Sequence, residues 1–391
     1  MSGQEEKKRI YMDYAASTPV SQSVREAMAP YARERYGNPG GLHREAVEAR
    51  EAVGEARRRV AAALRARPSQ IVFTSGATEA NNMAIFGVVA RREREGVRLA
   101  DMHLITSAIE HPSVSMPMQE FARRGARVSH IRVSPEGVVD VQALEATLTK
   151  ETLLVSIIHA SNEIGTIQPI REIARLIRRH NEATGARTLL HTDAVQSPLY
   201  LDVSPDTLHA DMITLGGQKM YGPKGVGALF VRDPDLIAPL FYGGKQEGGL
   251  RPGTENVPLI VGFAQALADA AFNRDATAAH AQHLRDMLIV GITRALPHTL
   301  LNGHATDRLP NNVNMTFPGH DGEMLALRLD AAGISVSTRS ACLSEEGTVS
   351  PVIAALGAPV RDNAIRFSLG SGTTAEEVEY VIKTLATIAR T

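Results

Sequence analysis

The sequence has few aromatic residues, almost no cysteine and no excess of charge. It lacks tryptophan, aromatic residues make up 4% of its 391 positions, and its one cysteine is Cys342. A single thiol excludes a disulfide framework within the chain and any zinc or iron–sulfur site made from several of its thiolates. The scarcity of aromatic rings argues against base-stacking surfaces and against the aromatic belts of membrane proteins.

Charge and hydropathy exclude further classes of protein. Lysine and arginine total 42 against 43 acidic residues, so no strong field attracts nucleic acid or an anionic membrane. The first ten residues lack the apolar core of a secretory signal, and no apolar run approaches the roughly 18 residues that cross a bilayer. We therefore expect a cytoplasmic protein without direct nucleic-acid or membrane partners.

The order of apolar segments predicts an α/β fold. Seven apolar stretches of strand length occupy residues 71–74, 103–106, 128–133, 153–159, 188–193, 212–215 and 226–231. Amphipathic stretches between them, with helical spacing, include residues 79–92, 114–124, 141–148 and 170–182. Continuous apolar strands that alternate with helices indicate a mostly parallel, buried sheet of seven strands with helices on its faces.

The C-terminal third has a different pattern. An apolar helix is expected at 257–271, a separate polar helix at 275–296, short strands at 312–317, 334–337 and 364–368, and a closing helix at 375–389. This mixture predicts a smaller α+β domain.

Common nucleotide-binding and zinc-protease motifs do not occur in the sequence. It contains no G-x-G-x-x-G after a strand, no G-x-x-x-x-G-K-[ST] and no H-E-x-x-H. His280 and His283 lie three apart on a predicted helix, but without a third ligand nearby they are more typical of surface residues. No metal site is predicted.

Three features favour a phosphate-bearing cofactor. Residues 71–82 run from a strand through a glycine turn into a helix that begins near Thr78, which suits a phosphate but also fits a plain capped turn. Asp193 ends a predicted strand, where open α/β sheets bind ligands, and a protonated ring nitrogen would satisfy a buried carboxylate there. Lys219 leaves a strand into a Gly-Pro-rich turn that can hold a nucleophilic lysine, although alone it would be an ordinary solvated residue. Together they meet the requirements of pyridoxal 5′-phosphate.

Ten segments, in order along nearly the whole chain, carry a family resemblance. They are Tyr11-Met-Asp-Tyr-Ala-Ala, Gly37-Asn-Pro, Thr74-Ser-Gly-Ala-Thr-Glu-Ala-Asn-Asn, Glu110-His-Pro-Ser, Ser161-Asn-Glu-Ile-Gly, His191-Thr-Asp-Ala-Val-Gln, Lys219 with its Gly-Pro-Lys-Gly turn, Arg251-Pro-Gly-Thr, Ser340-Ala-Cys and Ile365-Arg-Phe-Ser-Leu-Gly. This series resembles the cysteine desulfurases of the class V aminotransferase group, in the branch of the housekeeping and nitrogen-fixation enzymes.

The resemblance implies a pyridoxal-phosphate-dependent transferase of fold type I. It places a large cofactor domain at residues 15–262 and a small domain, carrying the Cys342 loop, at residues 1–14 and 263–391. It implies that Lys219 forms the Schiff base, that Asp193 pairs with the pyridine nitrogen, and that His111 stacks on the ring and moves protons. The remaining implied cofactor contacts are Gln196 at the phenolic oxygen and Ala77, Thr78, Gln218 and Thr254 at the phosphate. Thr254 would reach the phosphate of a neighbouring subunit, which implies a homodimer.

The resemblance also implies substrate contacts and an activity. Arg366 would clamp the substrate carboxylate with help from Asn38 and Asn162, and Cys342 would accept sulfur from L-cysteine, leaving L-alanine and a persulfide for an acceptor protein. Local sequence alone also allows a surface arginine at Arg366, a capping or core histidine at His111 and a buried structural cysteine at Cys342. Two other activities stay open, a C–S or C–Se lyase or aminotransferase without persulfide transfer, and a noncatalytic sulfur-relay scaffold. The sequence does not distinguish iron–sulfur cluster assembly, tRNA thiolation, cofactor synthesis or DNA phosphorothioation as the destination of the sulfur.

Three positions depart from the family pattern. Gly216 and Gln218 stand where similar enzymes usually carry a serine and a histidine that help to hold the phosphate, and Arg339 replaces a common glycine. Gln218 can still donate a hydrogen bond, but Gly216 has no hydroxyl. We hypothesise that Thr254 and the helix start compensate, and that Arg339 lowers the pKa of the Cys342 thiol.

Overall fold

A seven-stranded sheet forms the centre of the fold in this computed structural model, which describes residues 9–338, 350–357 and 363–390. The strands of the described residues are β1 (Ile10–Tyr11), β2 (Ile71–Thr74), β3 (His103–Ser107), β4 (Arg127–Ile131), β5 (Thr152–Ser156), β6 (Leu189–Asp193), β7 (Met212–Gly216), β8 (Gly227–Val231), β9 (Leu300–Asn302), β10 (Asn312–Thr316), β11 (Ile334–Ser335) and β12 (Ala364–Ser368). The α-helices are α1 (Gln22–Arg33), α2 (Arg44–Leu64), α3 (Ala77–Arg94), α4 (Pro112–Arg123), α5 (Val141–Thr147), α6 (Ile170–Thr184), α7 (Pro205–Leu208), α8 (Val257–Ala295), α9 (Gly322–Ala331), α10 (Pro351–Ala355) and α11 (Ala375–Ile388).

The directions of the strands place the connections that follow most of them at one edge of this sheet. The strand order is β2-β8-β7-β6-β5-β3-β4, and β8 pairs antiparallel with both of its neighbours while the other pairs are parallel. The carboxyl ends of β2, β3, β5, β6 and β7 therefore lie at the same edge. All seven predicted strands occur in this sheet, which confirms the α/β prediction.

Helices cover both faces of the sheet, and this explains why its strands are apolar throughout. In β2, Ile71 and Phe73 belong to the core shared with α2, α6 and α8, whereas Val72 belongs to the core shared with α3 and α4. Successive strand residues point to opposite faces, so a strand with a helix layer on each side buries every residue. The four residues of β2 and the five of β3 are all buried.

The C-terminal part builds a second, smaller core. Strands β9, β10 and β12 form an antiparallel sheet in the order β12-β10-β9, and β1 pairs with β11 in parallel. Side chains of β10 and β12 pack with the last part of α8 and with α11. This arrangement confirms the predicted smaller α+β unit.

The predicted pair of helices at 257–271 and 275–296 is wrong, because both stretches belong to the single 39-residue helix α8. Phe263 near its start packs in the core of the large sheet, and Leu288 near its end packs in the core of the small sheet. The change of polarity along the sequence therefore reflects a change of neighbours, not a break. The predicted boundary between residues 262 and 263 falls inside this helix, and the domain division stays a prediction. Neither α8 nor another helix of the described ranges is both long and apolar enough to span a membrane.

Candidate active site

A cavity of about 230 Å³ opens at the carboxyl edge of the large sheet. It brings together nine of the residues predicted from the sequence, which are Ala77, Thr78, His111, Asn162, Asp193, Gln196, Gln218, Lys219 and Arg366. All but Arg366 lie at or after the carboxyl ends of strands of the large sheet, which share this edge because those strands share a direction, whereas Arg366 lies in β12 of the small sheet.

The turn between β2 and α3 presents backbone donors to the cavity. Gly76 adopts a φ of 154°, a conformation that favours glycine, and α3 has no side-chain hydrogen bond at its N-terminal cap. The first N–H groups of an α-helix have no partner within the helix, and its dipole attracts negative charge. Ala77 and Thr78 line the cavity at this point, so the turn suits a phosphate group.

An ion pair ties this turn to the loop that carries Thr254. Glu79 accepts hydrogen bonds from the Ser75 N–H at 2.6 Å and from Arg251 Nε at 2.9 Å. Burial raises the pKa of Glu79, but these donors outweigh burial and hold the pKa below its usual value. Thr254 is exposed and lines a neighbouring cavity of about 200 Å³ instead of the main one. Its contact with a partner subunit stays a prediction.

Asp193 places a buried carboxylate at the end of β6. Its Oδ1 accepts the Val195 N–H at 3.0 Å, and its Oδ2 accepts the side-chain amide of Asn81 at 2.7 Å. Both are neutral donors, so a protonated ring nitrogen in the cavity would offset the charge. Sequence reasoning assigned no role to Asn81, although it lies in the Thr74–Asn82 segment, one helical turn after Ala77.

Lys219 lies in a short 3₁₀ turn directly after β7. Its Nζ donates hydrogen bonds to the carbonyl oxygens of Ala15, at 2.7 Å, and Ala16. Gln196 Nε2 donates to the same Ala15 oxygen at 3.0 Å. The segment after β1 therefore supplies the acceptors that hold the lysine, a role that its sequence motif did not reveal.

His111 caps α4 and faces the cavity with a neutral ring. Its Nδ1 accepts the Ser113 N–H at 3.1 Å and lies 2.7 Å from Ser113 Oγ. Burial lowers the pKa of His111, the positive charge of Lys219 lowers it further, and the negative charge of Asp193 opposes them with the net shift downward. The imidazole is therefore neutral near pH 7.

Arg366 lies in β12 and reaches the cavity from the small sheet. It is 3% exposed, its Nη1 donates to the Asn162 carbonyl at 2.9 Å, and its Nη2 forms an ion pair with Asp13 at 2.7 Å. Both ends of the guanidinium are thereby fixed. Its Nε is buried and has no partner among the described residues.

Two predicted residues of the described ranges, Thr254 and Asn38, do not line this cavity. Asn38 is exposed, and its Oδ1 accepts the Gly40 N–H at 3.0 Å within its own loop. Cys342 lies outside the described residues, as do Arg339 and the polar segment 344–347. Asp13, Asn81 and Ser113 enter the site although sequence reasoning gave them no role.

Gly216 faces the phosphate turn. A Cβ at this position would lie 3.3 Å from Ala77 Cβ, from Gln218 Oε1 and from Val195 Cγ1. Gln218 itself lines the cavity. Both departures from the family pattern therefore lie beside the backbone donors of Ala77 and Thr78.

The residues of this cavity fit pyridoxal 5′-phosphate. Backbone donors at a helix start suit its phosphate, the buried carboxylate of Asp193 suits its ring nitrogen, and Lys219 suits its aldehyde. Together with the mostly parallel sheet, they define a pyridoxal-phosphate-dependent enzyme of fold type I.

The chain belongs to the class V aminotransferases, since the family described as "Aminotransferase class-V" matches residues 10–381. It is 40% identical, over 98% of its length and 95% of the relative, to the cysteine desulfurase IscS of Dictyoglomus turgidum. A solved NifS-like protein matches with a TM-score of 0.90 and 36% identity over 98% of this chain and 99% of that one. A solved structure of SspA in complex with cysteine matches with a TM-score of 0.78 and 36% identity over 92% and 98% of the two chains. These findings confirm the resemblance.

Buried Glu110 gives the protein a pH-dependent stability that a substitution should remove. Burial raises the pKa of Glu110 to about 8, although Ser107 and the Ile158 N–H donate to its Oε1. The folded state then holds a proton that the unfolded state releases above about pH 4.5, so stability falls as the pH rises toward 8. Glu110→Gln should lose this slope, up to about 1.4 kcal/mol per pH unit, in denaturant unfolding between about pH 5 and about pH 8.

The matched control for that measurement is Glu79→Gln. Because the pKa of Glu79 is lowered, this carboxyl is ionised in both states above about pH 5.5. The difference in the free energy of unfolding between Glu79→Gln and the wild type should therefore stay constant over that pH range above about pH 5.5. Parallel stability curves for the wild type and Glu110→Gln would contradict the assignment.

Restoring a hydroxyl at position 216 should strengthen cofactor binding. A serine there would add a donor beside Ala77, and a hydrogen bond to a charged group contributes about 1.5–3 kcal/mol. Gly216→Ser should lower the dissociation constant of pyridoxal phosphate about tenfold or more, measured by fluorescence titration of the apoprotein. Gly216→Ala adds the carbon without the hydroxyl and should not tighten binding. Equal effects of the two variants would show that the hydroxyl is not responsible.

Proposed function

We propose that this protein is a cysteine desulfurase that removes sulfur from L-cysteine and leaves L-alanine and a persulfide on Cys342. The observation that carries the proposal is the single cavity that joins Lys219, Asp193 and His111 to the carboxylate-binding group Arg366. The names of the relatives, and a related structure that contains cysteine, support the same substrate.

Pyridoxal phosphate, when bound, supplies an aldehyde for the substrate amine and an electron sink for bond cleavage at Cα. In this chain, Ala77, Thr78 and Gln218 would hold its phosphate, and Asp193 would hold its ring nitrogen. Gln196 would bond the phenolic oxygen, and His111 would lie against the ring.

Lys219 moves the proton at Cα in this proposal. A lysine that accepts a proton becomes an ammonium group and needs hydrogen-bond acceptors. The carbonyl oxygens of Ala15 and Ala16 already receive hydrogen bonds from its Nζ. They would therefore provide hydrogen-bond acceptors for the protonated amine.

Arg366 orients the substrate through its carboxylate. The contacts with Asp13 and the Asn162 carbonyl hold the guanidinium in one plane, so little side-chain entropy remains to be lost on binding. The negative charge of Asp13 also offsets the positive charge of Arg366 before the substrate binds. Asn162 lines the cavity beside it and is proposed to assist, as is Asn38.

Sulfur leaves the substrate as a transferred atom. The thiolate of Cys342 forms an S–S bond with the substrate sulfur while the Cβ–S bond of the substrate breaks. The electron pair of the broken bond stays with Cβ, which takes up a proton to give alanine. Because the chain has one cysteine, it has no second thiol of its own to resolve the persulfide. The proposal therefore includes an acceptor protein, together with a homodimer in which Thr254 reaches the neighbouring phosphate, and a cytoplasmic location.

Mass spectrometry tests the reaction and its nucleophile together. After incubation with L-cysteine, the peptide that contains Cys342 should gain one sulfur atom, and alanine should form. Cys342→Ala should lose sulfur transfer to an added thiol acceptor while it keeps the cofactor, because only a thiolate can accept the sulfur. A variant that still releases sulfide and alanine at the wild-type rate would indicate a lyase instead.

The role of Arg366 is tested with a substrate that lacks a carboxylate. For Arg366→Gln, kcat/KM for L-cysteine should fall about a hundredfold, since truncating one partner of a buried charge pair costs about 2–5 kcal/mol. The value for cysteamine, which has no carboxylate, should change little. Arg9→Gln, which removes an exposed ion pair with Asp330, is the matched control and should leave both values unchanged. Equal losses for both substrates would contradict a carboxylate clamp.

A further inference from the structure

A chain of hydrogen bonds links Asp193 to His111 through Asn81 and Ser113. Asn81 Nδ2 lies 2.7 Å from Asp193 Oδ2 and 2.8 Å from Ser113 Oγ, and Ser113 Oγ lies 2.7 Å from His111 Nδ1. Asn81 is fully buried, and Ser113 is 7% exposed. These hydrogen bonds thus join Asp193, which would hold the cofactor ring nitrogen, to His111, which would lie against the ring.

The groups at the two ends of this series of hydrogen bonds determine which atom donates in each of them. A carboxylate only accepts, so the amide nitrogen of Asn81 donates to Asp193. At the other end, the Ser113 backbone N–H donates to His111 Nδ1 at 3.1 Å, so this nitrogen carries no proton. The Ser113 hydroxyl must then donate its own hydrogen to Nδ1, and its oxygen accepts the second hydrogen of the Asn81 amide.

One unpaired atom supports this orientation of Asn81. Its Oδ1 is buried and has no hydrogen-bond partner among the described residues, and such an oxygen costs about 1–3 kcal/mol. The reversed amide would place this oxygen against the Asp193 carboxylate and would lose the bond to Ser113. Within the described residues, the orientation that leaves Oδ1 without a partner is thus the one that keeps both donors of Asn81 in place.

We propose that Asn81 and Ser113 are positioning residues that keep the proton of neutral His111 on Nε2, so that His111 exchanges protons with its surroundings through Nε2 alone. With two donors aimed at Nδ1, protonation of this atom would break both hydrogen bonds. The proposal rests on the proposed function only for the identity of the group that occupies the cavity.

The charged groups around His111 act on its pKa in opposite directions. The carboxylate of Asp193, at the end of β6, raises the pKa, and the ammonium of Lys219, after β7, lowers it. Neighbouring Glu110 is protonated below about pH 8. Only an unprotonated Nδ1 can accept the hydrogen bond from the Ser113 hydroxyl, so this bond stabilises the neutral ring. Losing it should therefore raise the pKa of His111.

Nitrogen NMR of the holoenzyme labelled with ¹⁵N-histidine tests this inference. The His111 signals are identified by their loss in His111→Gln. In the wild type, the Nε2–H tautomer should persist from about pH 7 to about pH 9. In Asn81→Ala and in Ser113→Ala, the Ser113 backbone N–H still donates to Nδ1. We therefore expect Nε2–H to remain the major tautomer, a minor share of the Nδ1–H tautomer to appear, and the pKa of His111 to rise by about one unit.

A double-mutant cycle separates positioning from general damage to the fold. If Asn81 acts through Ser113, adding Asn81→Ala to Ser113→Ala should shift His111 no further. Asn82→Ala is the matched control, since Asn82 follows in the same helix and its amide donates to the Thr78 carbonyl at 2.8 Å. In Asn82→Ala, the tautomer and the pKa of His111 should equal those in the wild type.

Two results would overturn the proposal, an unchanged Nε2–H tautomer in Asn81→Ala and additive shifts in the double variant. Ser113→Ala removes one oxygen, so it provides a second test if the asparagine variant does not fold. The readout is independent of sulfur transfer. If the protein forms no persulfide while the NMR result holds, the proposed function fails and this inference stands.

Discussion

The buried charge of Asp193 is the constraint on which the site depends. A carboxylate at the end of a central strand is costly to bury, and in this chain its two oxygens receive only neutral donors from Val195 and Asn81. A cationic ring nitrogen in the cavity would complete its compensation, so the same residue supports the proposed position of the cofactor. The need for a second donor to Asp193 also explains the position of the Asn81 amide. Its other hydrogen is donated to Ser113 and so determines how the Ser113 hydroxyl meets His111.

The second organising feature is the segment that follows β1. Strand β1 pairs with β11 of the small unit, and the residues after it run along the edge of the large sheet. Asp13 fixes Arg366 from β12, while the carbonyls of Ala15 and Ala16 hold Lys219. One short stretch thereby sets the distance between the proposed substrate clamp and the reactive lysine. This stretch therefore contacts the residues that carry both proposed roles.

Several elements could be predicted because their causes are local. Apolar runs between turn residues predicted all seven strands of the large sheet, and the Gly-containing turn before Ala77 predicted the start of α3, whose role as a phosphate site stays a prediction. The failures have a common cause. A change from apolar to polar residues along α8 was interpreted as a break between helices, but the helix leaves one core for another. Asn81 and Asp13 carried no local sign of function, because their partners are 32 to 353 residues distant, whereas Ser113 contacts both the distant Asn81 and the nearby His111.

The sequence by itself determined the positions along the chain of the strands in the large sheet, the family and the chemical types in the site, because these depend on periodicity and on residues that stand in recognisable segments. It could not determine which of these residues meet. Only the tertiary structure joined Arg366 to Asp13 and directed the Asn81 amide toward both Asp193 and Ser113, since such contacts depend on the common direction of the strands and on the packing of one unit against the other. The protonated nitrogen of His111 was likewise decided by the hydrogen-bond donors that folding brought to its ring.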